Sequence, residues 1–195
     1  MQKPVRTEFA AAAPGARAKV RVWDRVVRAF HWSLVAAFAV AWLTRHSSEA
    51  IHYVAGYSAA GLVALRLIWG VIGTRYARLR QFVRAPSTVW RYLADIATGR
   101  ESRYLGHNPA GGAMIVALIA IMAGTALTGW LSTTDAFWGV DWMSKLHERL
   151  ADGLLVLVVL HFGGVILASI RHRENLIAAM ITGLKRDADP GDVAD

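Results

Sequence analysis

Seven histidines and no cysteine set the metal and redox chemistry open to this 195-residue chain. Without cysteine there are no disulfides, no thiolate-held iron–sulfur cluster and no thioether-linked haem. Two of the histidines, His147 and His161, close the ends of the run His147-Glu148-Arg149-Leu150-Ala151-Asp152-Gly153-Leu154-Leu155-Val156-Leu157-Val158-Val159-Leu160-His161. Fourteen residues of helix rise roughly 21 Å and turn through about four revolutions less 40°, so both imidazoles leave nearly the same face. One helix can then hold one ring near each side of a membrane about 30 Å thick in its hydrocarbon core. Neutral imidazole is a good ligand for iron. Two further histidines in apolar runs, His31 and His52, could supply the opposite ligands.

The elements that must position these rings follow from composition. Hydrophobic residues make up 55% of the chain and mean hydropathy is +0.34, too apolar for an ordinary soluble domain of this length. The pattern predicts an all-α integral membrane four-helix bundle with spans at about 26–44, 51–74, 110–132 and 147–170. Asp24 is a fair N-cap for the first span, with Arg25 and Arg28 snorkelling to headgroups. Asn108-Pro109 marks the start of the third span. Between the second and third spans, Pro86-Ser87 starts a surface helix with Val89, Trp90, Leu93 and Ile96 on its apolar side, lying in the interface. Residues 1–20 read as a disordered tail, 21–186 as the membrane domain and 187–195 as a second disordered tail.

Charge orients the bundle. The first tail, the loop between the second and third spans and the last tail hold eighteen Lys and Arg. The other side holds only Arg45, Lys145 and Arg149. The positive-inside rule puts both termini in the cytoplasm. The net charge of +8 is thus mainly a topology signal with anionic lipid attraction as its consequence, not a nucleic-acid footprint. Trp130, Trp138 and Trp142 fit an outer aromatic belt.

With that topology His52 and His147 stand at the outer edge, and His31 and His161 in the inner half. Each pair joins two helices at similar depth, and two bis-histidine b haems are the natural fill. Both axial places of each iron are then taken, which favours electron transfer over oxygen chemistry. His46, near the outer surface, is an alternative to His52. His107 reads as a solvent-exposed neighbour of a helix cap, and His172 as a C-terminal residue favoured by the helix dipole. Arg66, fourteen residues after His52, either pairs with a haem propionate or snorkels inward. The glycines of the spans are helix-packing points or clear room for a flat ring.

The motifs Val22-Trp23-Asp24-Arg25 through His31-Trp32, Ile51-His52 followed by Gly56, Leu65-Arg66-Leu67, and His147-Glu148 with His161 carry a resemblance. The chain resembles the bacterial four-helix di-haem cytochrome b family, which includes bacterial cytochrome b561 and the cytochrome b subunits of nickel–iron hydrogenases. His107-Asn108-Pro109-Ala110-Gly111-Gly112 looks closer to the hydrogenase branch. The resemblance spans about 21–186. It implies two b haems held by His31, His52, His147 and His161, and electron exchange with ubiquinone or menaquinone in a respiratory chain of the bacterial inner membrane.

Two functions from different classes follow. One is an electron conduit between the quinone pool and a periplasmic c-type cytochrome or a dehydrogenase or hydrogenase subunit. The other is a superoxide:ubiquinone oxidoreductase acting at the periplasmic face. Steering an anion needs a positive outer funnel. The outer side instead carries Glu49, Asp135, Asp141, Glu148 and Asp152 against its three cations, which favours the conduit. A homodimer is left open.

Overall fold

Residues 18–194 are described by the structure, a computed structural model; the first seventeen residues of the expected N-terminal tail lie outside them. Asp24 accepts from the backbone N–H of Val27 at 2.8 Å and starts helix α1, Arg25–Thr44. Ser48 caps α2, Glu49–Ile72. A 3-10 turn, Arg75–Ala77, and the short α3, Leu79–Phe82, lead to α4, Pro86–Thr98. Asn108 accepts from Gly111 N at 2.7 Å and Pro109 fills the first turn of α5, Pro109–Leu131. The chain ends in α6, Asp141–Arg171, and α7, Leu176–Thr182.

Four of these helices, α1, α2, α5 and α6, are long and apolar enough to cross a membrane, and the all-α four-span expectation is met. α1 packs along α2, α2 against α5, and α5 against α6, while α1 and α6 share no comparably close seam. At mid-depth, Ala59 and Val63 of α2, Met122 of α5 and Leu154 of α6 form a buried apolar layer, with Leu34 and Phe38 of α1 against it. Outward residues such as Val54 and Val159, 68% and 63% exposed, belong to the lipid-facing surface.

Two helices differ from their sequence expectation. α6 begins at Asp141, six residues before the expected start at His147. Hydropathy rises only after His147, but Met143 is 3% exposed and anchors the added turns. Asp141 in the first turn also suits the helix dipole. His147 therefore stands about 9 Å inside its helix rather than at its mouth. On α4 the inward residue is Tyr92, 5% exposed, with Val89 and Ile96 half-buried beside it. Its hydroxyl donates to the Ser102 carbonyl at 3.1 Å. Trp90 and Leu93 on the same helix are exposed.

A two-stranded antiparallel ribbon, absent from the sequence reading, joins the ends of the chain. β1, Lys19–Arg21, pairs with β2, Leu184–Arg186, with Val20 opposite Lys185. Val22 N and Trp23 N both donate to Gly183 O, at 3.0 and 3.2 Å. Arg28, expected at headgroups, donates to the Ile181 carbonyl. Gly183 has φ +82°, a left-handed cap that glycine adopts without strain.

Beside the ribbon lies a buried ion cluster. Arg103 donates to Glu174 at 2.9 Å, to Asp192 and to the Arg186 carbonyl at 2.7 Å. Lys185 donates to the Leu105 carbonyl at 2.9 Å and lies 3.5 Å from Glu174. The segment from 187 to 194, expected as a disordered tail, supplies Asp192 to this cluster. Burial alone would raise the Glu174 carboxyl, but the hydrogen bond from Arg103 and the Lys185 charge outweigh it and hold it below the usual range. Asp192 is lowered in the same way: burial is outweighed by the Asp189 N–H and by Arg103.

Candidate cofactor site: two histidine pairs

Each pair stands at one end of the bundle. At the end away from the termini, the rings of His52 and His147 face each other with centroids 6.1 Å apart and planes at 87°. His52 begins α2 and His147 lies in α6, so the contact joins two helices that share no close seam of their own. His46 is turned away: it sits exposed in the loop after α1 and accepts from Arg45 Nε at 3.0 Å.

Neighbouring helices fix both rings. His52 Nδ1 lies 2.9 Å from the Ala41 carbonyl of α1. His147 Nδ1 lies 2.9 Å from the Thr125 carbonyl of α5, with Thr128 Oγ1 at 3.3 Å. A carbonyl only accepts, so each Nδ1 carries the proton and each Nε2 keeps its lone pair. Metal-bound histidines are oriented in this way, the outer nitrogen tied to a carbonyl and the inner one free to ligate. Gly129 allows the close approach of α5, since a Cβ there would stand 2.9 Å from His147 Cε1.

At the other end, His31 of α1 and His161 of α6 are half-buried and near enough to interact electrostatically. His31 Nδ1 is buried without a hydrogen-bond partner among the described residues. Its ring meets Trp32 edge-on at 5.2 Å. Leu154 of the apolar layer is seven residues from both His147 and His161, so the layer separates the two pairs.

Arg66 is 5% exposed, and one of its terminal nitrogens, NH1, has no partner. The guanidinium carbon stands 5.7 Å from the Phe82 ring centre, and Asp24 is its electrostatic neighbour. Asp24 in turn accepts from Trp69 Nε1 at 3.3 Å and from Thr74.

His107 corrects the sequence reading. It is no solvent-exposed cap neighbour: its ring lies between Trp23 at 4.6 Å and Phe82 at 4.7 Å. Burial, with the charges of Arg66, Lys185 and His161 behind it, pushes its pKa down to about 3, so it is neutral at physiological pH. His172 stands at the C-terminal cap of α6, as expected, and burial lowers its pKa.

The residues fit the expected group. Among the described residues no three His, Asp or Glu side chains converge as in a mononuclear metal centre. A porphyrin supplies four nitrogens itself and leaves two axial places, which a histidine pair fills. Two metal–nitrogen bonds of about 2 Å, plus about 1 Å from each nitrogen to its ring centre, make roughly 6 Å between ring centroids. That is the spacing of His52 and His147. The unpartnered His31 Nδ1 and Arg66 NH1 are polar atoms that a metal-bound or carboxylate-bearing group would satisfy or orient.

Residues 22–183 match the family described as prokaryotic cytochrome b561. A curated relative from Bradyrhizobium diazoefficiens, named "Probable Ni/Fe-hydrogenase B-type cytochrome subunit", is 25% identical over 233 aligned residues, covering 93% of each chain. No solved structure matches. A match over most of the chain, with four apolar spans arranged around paired histidines, means that the chain belongs to the prokaryotic cytochrome b561 family of multi-pass membrane b-type cytochromes.

Proposed function

We propose that the chain carries electrons across the bilayer between a membrane quinone and a redox partner at the opposite face, using two b haems. His52 and His147 hold one haem and His31 and His161 the other. A haem held by each pair would supply reversible one-electron chemistry there. The observation that carries this reading is the His52–His147 pair, with its rings 6.1 Å apart and each Nδ1 committed to a carbonyl. Ala41, Thr125 and Thr128 keep the lone pairs aimed inward, and Gly129 leaves room for the ring. Arg66, buried with a free N–H, serves as the partner of a haem propionate.

The basic loop and both termini face the cytoplasm, which puts His52 and His147 at the periplasmic end. The relative's name supports a hydrogenase subunit as partner. The acidic balance of Glu49, Asp135, Asp141, Glu148 and Asp152 supports a protein partner over an anionic small substrate. The test is a reduced-minus-oxidised spectrum with haem quantified per purified chain. Two acid-acetone-extractable haems per chain are expected, and one would remove a pair from the assignment. Reporter fusions near Asp135 should read periplasmic and those within 81–103 cytoplasmic; the reverse would overturn the orientation.

A further inference from the structure

A second site lies outside the histidine pairs, on the lipid-facing side of the bundle at the termini end. There Gly70 and Val71 of α2 meet Arg78, Leu79 and Arg80 around an open cleft of about 510 Å³. Its walls are of two kinds. Arg78 and Arg80 are cations with no carboxylate partner among the described residues. Arg78 Nε donates to the Gly73 carbonyl at 2.8 Å, which fixes the guanidinium at the cleft wall. Below them run Val71, Ile72 and Ile68, 71%, 67% and 58% exposed, on the outer surface of a membrane-spanning helix.

From this geometry we infer that the cleft binds an anionic glycerophospholipid, its phosphate between Arg78 and Arg80 and an acyl chain along Ile68, Val71 and Ile72. Two arginines at the end of an apolar helix face match a lipid in charge order along the membrane normal: phosphate at the headgroup level, hydrocarbon below. Arginine suits the role, because its planar N–H fork recognises phosphate oxygens and it stays charged. Gly70 lets Leu79 pack tightly onto α2 at the cleft floor, since a Cβ there would stand 2.7 Å from the Leu79 side chain. The outward Trp90, 75% exposed on α4, is an aromatic residue of the kind that settles at the headgroup boundary.

The test uses the haem-loaded protein in detergent with dioleoyl phosphatidylglycerol or dioleoyl phosphatidylcholine, reading retained lipid per chain by native mass spectrometry. Phosphatidylglycerol should be retained at least fivefold over phosphatidylcholine. Arg80→Gln should lower that preference about fivefold, the change that about 1 kcal/mol per surface arginine corresponds to. Because Arg78 also holds Gly73, the second variant is Val71→Trp, which narrows the cleft from an exposed wall position and leaves both arginines charged; it should lower retention of phosphatidylglycerol equally. Arg100→Gln, an exposed arginine outside the cleft, should leave the preference unchanged. Equal retention of the two lipids, an Arg100→Gln effect as large as that of Arg80→Gln, or displacement of the lipid by millimolar inorganic phosphate would each overturn the assignment.

Discussion

Gly129→Ala is the smallest change that separates the two histidine pairs. The added methyl carbon would stand 2.9 Å from Cε1 and 3.2 Å from Nδ1 of His147, where ordinary carbon contacts begin near about 3.4 Å. The ring must retreat by roughly half an ångström. Its Nδ1 is held to the Thr125 carbonyl at 2.9 Å, so the retreat lengthens that bond toward its limit. A lost hydrogen bond costs about 1 kcal/mol and overpacking about 1–3 kcal/mol. Disturbing the partner of a ligating histidine lowers affinity for its metal group about 10- to 100-fold. The expected result is loss of most of one haem per chain with the other retained. Pyridine haemochrome quantification and low-temperature difference spectra read this directly. Gly124→Ala is the control on the same helix, since its Cβ would meet Leu150 at an ordinary 3.6 Å. If Gly129→Ala kept both haems with unchanged potentials, the placement of His147 against α5 would be wrong. Equal loss from both variants would mark a packing effect unrelated to the histidine.

Four further outcomes follow from the structure. Gly56, one turn after His52, meets nothing within 4 Å; Gly56→Leu should block haem beside His52 while thermal unfolding of the apoprotein stays put, and full occupancy would refute the open space. His161→Ala and His31→Ala should give one shared difference spectrum, and His147→Ala and His52→Ala the other; a crossed pattern would break the pairing. Arg103→Gln should destabilise by about 1.5–3 kcal/mol, read by melting temperature, because it removes the charged hydrogen bonds to Glu174 and Asp192 while Lys185 stays beside Glu174. The carboxylates of that cluster have lowered native pKa values, so their contribution is complete above the ordinary carboxylate range, about pH 4–5, and is lost as pH falls through the native values. An acid-active protease should therefore cut the 187–194 segment only below that range; cutting at neutral pH would show that the segment is not held.

The spans were legible because lipid demands long apolar helices, and two of their caps, Asp24 and Asn108, are side chains whose chemistry is visible in sequence. Which histidines share an end of the bundle followed from span order. What orients the rings did not: the acceptors for His52 and His147 are backbone carbonyls of Ala41 and Thr125, which no residue type announces. The start of α6 was read late because Asp141 to Leu146 are amphipathic rather than apolar. The buried place of His107 depends on Trp23 and Phe82, which reach it from two distant segments. The ribbon and the ion pairs of Arg103 join residues more than seventy positions apart, beyond any local period.

The apolar layer of Ala59, Val63, Met122 and Leu154 has an electrical consequence. None of these side chains can relay a proton, so the layer insulates one end of the bundle from the other. The histidines of α6 stand roughly 21 Å apart along its axis, in a hydrocarbon slab about 30 Å thick. A charge passing from one pair to the other therefore crosses roughly two-thirds of the transmembrane voltage. At about 2.3 kcal/mol per elementary charge per 100 mV, this amounts to roughly 1.6 kcal/mol per 100 mV. Electrons moving toward the cytoplasmic end oppose an inside-negative potential and slow as it builds, whereas outward flow is driven by it. Leu154→Asn would put a hydrogen-bonding group into the middle of that dielectric and open a path for proton leak.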